Sequence, residues 1–453
     1  MKYTRTVQAA AIASIAAMAL SACGSSGNGG DVANATLDPN AKVEIQFAGW
    51  SLKSTPEFQT LVDAFEKENP NITVKIKEYS ADDYDKQLTT DLSGGTAPEV
   101  FPIKNLQKYY TYAVDSNGLA DLTSVADTYK SDKNIDISQY NIDGKYYALP
   151  YRQDSWVLFY NKTMFEKAGV AVPDGTWTWD DYMKAAEELK TKLPAAGYDA
   201  NSVFPTYHHN WQSVFQSFTT AQSAATADGA KKNFLSGDYS YMADMYKNVF
   251  LKAQDDKLTV DYNTSTANKV QYQAQFGTEK AAMLPMGTWY AATLVSQQKS
   301  GDANKFEWGM APIPQSSSVK SSDGKPITFA DPTGLAISAG ATGDKLAAAK
   351  KFVEFASGEG GAKALAAIST TPAYFSDTVK STFFGVDGMA NDDLSQKSWQ
   401  EHDTRPENFV DKATNEIQTI LKTTNSTIMT ETGGVDDTLA NAAKQIADQG
   451  LLK

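Results

Sequence analysis

Two periods of apolar residues alternate along the chain. Val43 to Ala48 alternates apolar with polar residues and opens at Gly49-Trp50-Ser51, so it reads as a strand running into a loop. Phe58, Leu61, Val62 and Phe65 recur at helical spacing between Pro56 and Glu68, and Pro70 ends that run. Ile72 to Ile76 alternates again. Tyr84 to Leu92 is helical and closes at Gly94-Gly95, and Pro98 to Phe101 is a short strand. Strand, helix, strand, helix, strand predicts a parallel sheet covered by helices. Open sheets of this kind bind ligands at the carboxyl ends of their strands. Those ends are Trp50-Ser51 and the stretch that reaches Lys104-Asn105.

Gly144 to Asn161 reads as one long extended run, and it carries Arg152 and Asp154 near its centre. Charges there fit a crossing between lobes better than a core strand. Helices are predicted over 163–168, 180–192, 239–253 and 266–276, with Trp177 and Trp179 as packing residues before the second of them. Pro205 to Trp211 is dense in rings and hydrogen-bonding groups, and Tyr207, His208 and Trp211 are candidates to line a cleft. In Phe276 to Leu294, a helix over Lys280 to Leu284 is expected to break at Gly287, and a new one to begin at Thr288-Trp289-Tyr290. A helix start offers free N–H groups, and a tryptophan there offers a flat face. That pairing suits a sugar ring; the alternative is a tryptophan that only packs.

Beyond it, Ala311 to Pro314 and Thr371 to Asp377 are extended breaks, with a strand over 329–338 and helices over 345–357 and 362–368 between them. The last part is helical, over 392–402, 407–422 and 435–448. Three proline-containing breaks, at 149–154, 311–314 and 371–377, predict three crossings between two lobes. One lobe comprises 41–150 with 312–371, the other 151–311 with 372–453.

The length of 453 residues agrees with two cores rather than one. The net charge of −13 argues against nucleic-acid binding, which needs a basic footprint. The first 22 residues read as an export signal: Lys2 and Arg5, then an apolar run too short to span a membrane, ending at Leu20-Ser21-Ala22-Cys23. Its removal takes away two cations and lowers the charge from −13 to −15. Cys23 is the only cysteine, so it has no disulfide partner in the chain, and the Gly-, Ser- and Asn-rich stretch to Asn40 reads as a flexible tether. The pattern resembles a bacterial lipobox and implies lipidation of Cys23 and anchoring at the outer face of the membrane. The adjacent His208-His209 lack further ligands at metal spacing, and no nucleophile elbow, phosphate loop or dinucleotide fingerprint is present. Acidic residues are abundant, and the carboxylate pair of a glycoside hydrolase needs only proximity in space.

Several motifs stand in a familiar order: the lipobox, Gly144-Lys-Tyr-Tyr-Ala-Leu-Pro150, Phe159-Tyr-Asn-Lys162, Lys280-Ala-Ala-Met283 with Gly287-Thr-Trp289, and the break at 371–377. Together they resemble the carbohydrate-binding branch of the extracellular solute-binding proteins of ABC importers, which includes maltose-binding proteins. The resemblance implies an α/β protein of two lobes closing on an oligosaccharide without breaking a bond. It implies a monomer with no cofactor and no metal, handing its ligand to permease subunits. Matched onto this sequence, the site would comprise Trp50, Ser51, Lys104, Asn105, Arg152, Asp154, Tyr207, His208, Trp211, Trp289, Tyr290, Asp331 and Arg405. Two departures stand out: Glu99 where Asp is usual, and Asp331-Pro-Thr-Gly where a glycine pair is usual. Competing readings are an exported glycoside-processing enzyme and a same-fold binding protein for a charged solute such as a polyamine.

Overall fold

The computed structural model describes residues 32–53 and 55–452; the export signal and Cys23 lie outside them. Two sheets, each with its own apolar core, make two lobes. The first sheet has the order β2-β1-β3-β12-β6, from β1 (Val43–Trp50), β2 (Ile72–Tyr79), β3 (Val100–Ile103), β6 (Ala148–Arg152) and β12 (Thr333–Ile337). β1 is parallel to β2 and β3, as the alternation of strands and helices predicts, whereas β12 is antiparallel to β3 and β6. The helix Glu57–Glu68 lays Phe58, Leu61, Val62 and Phe65 on this sheet. The helix Gly343–Ser357 adds Phe352, whose ring meets Phe47 and Phe65 edge-on at 4.9 and 5.0 Å. A small hairpin, β4 (Asn141–Ile142) with β5 (Lys145–Tyr146), sits at the edge of this lobe.

The second sheet has the order β10-β7-β9-β8, from β7 (Trp156–Asn161), β8 (Phe204–Thr206), β9 (Ala281–Gly287) and β10 (Trp308–Pro312). β9 overturns the helix expected over Lys280 to Leu284. It is a fully buried strand, antiparallel to β7 and parallel to β8. A short continuous apolar run has no period that distinguishes a buried strand from a buried helix, and the pairing decided it. Two other expected helices change. The 266–276 run is two short helices, Tyr262–Ala267 and Tyr272–Gly277, separated where Lys269 takes a positive φ of 50°. The helix placed at 407–422 is Thr414–Met429.

The chain passes from β6 to β7 at 153–155, a few residues past the predicted boundary. The second passage moves further. Ile313, Ile327 and Phe329 belong to the second core, and β11 (Ile327–Phe329) pairs in parallel with β13 (Asp403–Arg405). The return to the first sheet is therefore at Ala330-Asp331-Pro332, not at 311–314, so 312–329 belongs with the second lobe. Pro312-Ile-Pro314 ends a strand without ending the lobe. The third passage runs beside the first: Ala373 N–H donates to Tyr151 O at 3.0 Å, and Pro372 bridges to Arg152. The last part of the expected tether also differs. Val32 is buried in the first core, with Ala35 and Leu37 packed against it. Among the described residues no helix is long and apolar enough to cross a membrane.

Candidate functional site

The three passages meet beside a cavity of about 320 Å³ between the lobes. Lys104, Asn105 and Gln107 line it from the end of β3 and the turn beyond. Arg152, Asp154, Asp331 and Thr333 come from the first two passages and their edges. Trp156, Gln212, Ser213, Ser217, Trp289 and Gln418 come from the second lobe, with Glu407 and Asn408 from the loop after β13. Two neighbouring cavities continue it, one sharing Arg152, Asp154 and Trp289, the other sharing Asp154.

Trp289 owes its place to the residues around it. β9 ends at Gly287, and the helix Trp289–Ser300 starts two residues later. Thr288 is tied to the first passage three times. Its N–H donates to Ser155 O at 2.9 Å; its hydroxyl accepts from Ser155 N at 3.1 Å and donates to Asp154 Oδ1 at 3.2 Å. The N–H of Thr288 is thus not free for a ligand. The Trp289 ring folds back across Gly287, where a Cβ would fall about 1.9 Å from it, so only glycine admits this placement. The ring stands edge-on to Trp156 at 5.4 Å and tilted at 45° to Trp211 at 6.3 Å. Trp211 is 42% exposed, the largest exposed apolar side chain among the described residues. The three indoles form a stepped aromatic wall from the cavity to the surface.

The opposite wall is charged and braced by its own ion pairs and by hydrogen bonds from the second lobe. Arg152 pairs with Glu57 at 2.6 Å and with Asp154 at 3.4 Å, while Tyr151 donates its hydroxyl to Glu57 at 3.0 Å. Burial pushes the Asp154 carboxyl up, against the pull of Arg152 and of hydrogen bonds from Thr371 and Thr288. Lys104 donates to Ala81 O at 2.5 Å and stands 5.1 Å from the Trp50 ring; burial lowers its pKa. Asn105 donates to Asp85 at 2.5 Å. Asp331 accepts from Asn408 on both oxygens, at 2.9 and 2.6 Å. Burial raises both Asp331 and Glu407, and the charge of Asp331 raises Glu407 further.

Six of the thirteen candidates line this cavity: Lys104, Asn105, Arg152, Asp154, Trp289 and Asp331. Trp211 lies outside the lining, next to Gln212 and with its ring 6.3 Å from that of Trp289. Ser51 is half-buried, at a positive φ of 49°, outside the three cavities. The other five are buried in the cores. Trp50 packs edge-on between Phe58 and Tyr84 at 4.8 and 5.0 Å. Tyr207 donates to Val270 O at 2.9 Å, His208 meets the Tyr182 hydroxyl at 2.9 Å, and Tyr290 packs on Phe159 at 5.3 Å. Arg405 is fully buried, and its guanidinium donates to Ala221 O, Ala224 O and Asp403. Sequence reasoning missed Glu57, Trp156, Ser217 and Glu407. A glutamate in a first helical turn and a tryptophan in an apolar strand look like ordinary scaffold. Among the described residues no cluster of three or more His, Cys, Asp or Glu is placed to hold a metal ion.

Known proteins share this architecture. A sugar transporter from Rhizobium etli, solved in an open conformation, is 28% identical with a TM-score of 0.76, over 88% of this chain and 99% of that one. An ABC substrate-binding protein from Listeria monocytogenes in complex with cycloalternan is 24% identical with a TM-score of 0.72, over 91% and 100%. Among curated relatives, the multiple sugar-binding protein of Streptococcus mutans is 27% identical over 332 residues, 71% of this chain and 73% of that protein. The melibiose/raffinose/stachyose-binding protein of Bacillus subtilis is 27% identical over 239 residues, 51% and 52% respectively. Residues 38–363 match the bacterial extracellular solute-binding protein family, and the chain belongs to it.

Proposed function

We propose that this protein is the extracytoplasmic substrate-binding component of an ABC importer, that it captures a carbohydrate by closing its lobes, and that a lipid on Cys23 holds it at the membrane. The observation that carries the sugar reading is the pairing of walls in one cavity. Trp289 offers an aromatic face, backed by Trp156, and polar side chains face it from the other lobe and the passages. A sugar ring has the complementary surface, apolar C–H on one face and hydroxyls around its edge. The relatives named for sugars support the same ligand class. The stepped wall out to Trp211 favours an oligosaccharide over a single ring. Closure on the ligand would supply the differential affinity that separates loaded from empty protein.

Calorimetry of the purified protein over a panel of neutral and charged oligosaccharides tests this. Saturable binding without change to the sugar is expected. Hydrolysis of a panel sugar would point to a glycoside-processing enzyme, and tight binding of polyamines with no sugar bound would point to the charged-solute reading. The anchor has its own test: Cys23→Ser should move the protein from the membrane fraction to the medium or periplasm.

A further inference from the structure

One end of the cavity carries a pair of carboxylates with no cation to face them. Asp331 leaves the second passage, and Glu407 leaves the loop after β13. Asn408 fixes Asp331 through both oxygens, and the Ser213 hydroxyl reaches Glu407. The other charged groups at the cavity are engaged elsewhere. Arg152 lies between Glu57 and Asp154; Lys104 donates to Ala81 O, near Asp82 and Asp85. The remaining titratable neighbour of Asp331 is the Tyr140 hydroxyl, which donates to Pro332 O. Among the described residues that line the cavity, the carboxylates Asp154, Asp331 and Glu407 stand against two cations, Lys104 and Arg152. Two half-buried carboxylates that line one end of a cavity with no cation beside them favour sharing a proton over carrying two charges. A neutral sugar leaves that proton in place. A ligand bearing an ammonium group replaces it: the cation enters, one proton leaves for solvent, and the net charge at the pair stays the same.

We propose that the sugar taken by this cavity carries a basic nitrogen, its ammonium seated between Asp331 and Glu407 while its ring lies on Trp289. This rests on the reading of the cavity as a sugar site. The cavity, its aromatic wall and the solute-binding family point to a ligand; the carboxylates specify its charge.

The test is calorimetry at pH 7 with matched probes: glucosamine, galactosamine and the glucosamine dimer and trimer, against glucose, galactose, cellobiose, melibiose and raffinose. Amino sugars should bind at least ~tenfold tighter than their neutral counterparts. They should release about one proton per ligand, read from the heat in buffers of different ionisation enthalpy, and weaken as the pH falls towards 5. Asp331→Asn and Glu407→Gln should each lower the ratio of amino-sugar to neutral-sugar affinity and reduce the proton release. Neutral sugars binding as tightly as amino sugars, or amino sugars binding without proton release, would overturn the inference and leave the sugar site standing. If no probe of either kind binds, both fall together. The proton count uses the unaltered protein, so it decides the matter even if a variant folds poorly.

Discussion

Two tryptophans stand at the ends of two strands, and only one faces the cleft. Trp50 closes β1 and is 8% exposed, with Phe58 and Tyr84 edge-on against its ring. Trp289 follows β9 by two residues and lines the cavity. Both follow a glycine closely in the sequence, and both read as platforms there. The difference lies in what covers them. After β1 the chain loops out and returns as the helix Glu57–Glu68, which places Phe58 over Trp50. After β9 the chain turns directly into a helix whose start is stitched to Ser155 and Asp154. Trp156 already occupies the core side, so the Trp289 ring lies across Gly287, beside Trp211, and borders the cleft. A tryptophan comes to line a cleft when its strand end is held open by neighbours that leave part of its ring uncovered.

The largest effect that would sharpen this contrast is on stability. Trp50→Ala should cost about 3–5 kcal/mol in chemical denaturation, as a fully packed aromatic does, with sugar affinity unchanged in the folded fraction. If affinity falls and stability holds, the two tryptophans have been assigned the wrong way round. Next comes Glu57→Gln, which leaves the Arg152 charge short of its closest partner and should destabilise the first lobe by about 2–3 kcal/mol, the lower end because Arg152 keeps some solvent contact. Trp289→Ala should reverse the pattern of Trp50. Melting should barely move, while affinity drops by about 2 kcal/mol, roughly 30-fold. Gly287→Ala should push the indole off its seat and give about a tenfold loss, with the Trp289 side chain intact.

The smallest effect is a pH dependence with two opposing arms. Burial holds His208 and His209 neutral, with pKa values lowered to about 3 and about 4. Between those values and the ordinary 6.5, the unfolded chain binds more protons, so stability should fall as pH drops below about 6.5. Asp331 and Glu407 act the other way. Their raised values mean that the folded state binds more protons, so their contribution is complete below the ordinary carboxylate range and lost as pH rises above it. Glu407→Gln should shrink the alkaline arm to the part Asp331 supplies and leave the acidic one; thermal melts across pH 4–9 would separate them.

Much of the scaffold was legible because it rests on local patterns. The β1–helix–β2–helix–β3 start follows from alternation, helical spacing and the Gly95 cap at a φ of 67°. Arg152 and Asp154 were legible as cleft residues because charges in the middle of an extended run have no place in a core. Tyr207, His208 and Arg405 misled for the same reason in reverse: each found a buried hydrogen-bond partner, and no local pattern announces one. Arg405 is the clearest case, since Ala221 O and Ala224 O lie more than 180 residues away in sequence.

By itself the sequence determined that this is an α/β chain of two cores with a tryptophan just after a chain break at Gly287, because periodicity and turn chemistry are written within a few residues of one another. Only the tertiary structure decided that β9 is a strand, that the second passage lies at Asp331, and that Glu57, Trp156 and Glu407 join the site. Those outcomes depend on which distant segments lie alongside: β7 and β8 against β9, β13 against β11, and the loop of Asn408 against Asp331. Pairing and burial between remote segments carry most of the free energy of such choices, and neither has a local signature in the chain.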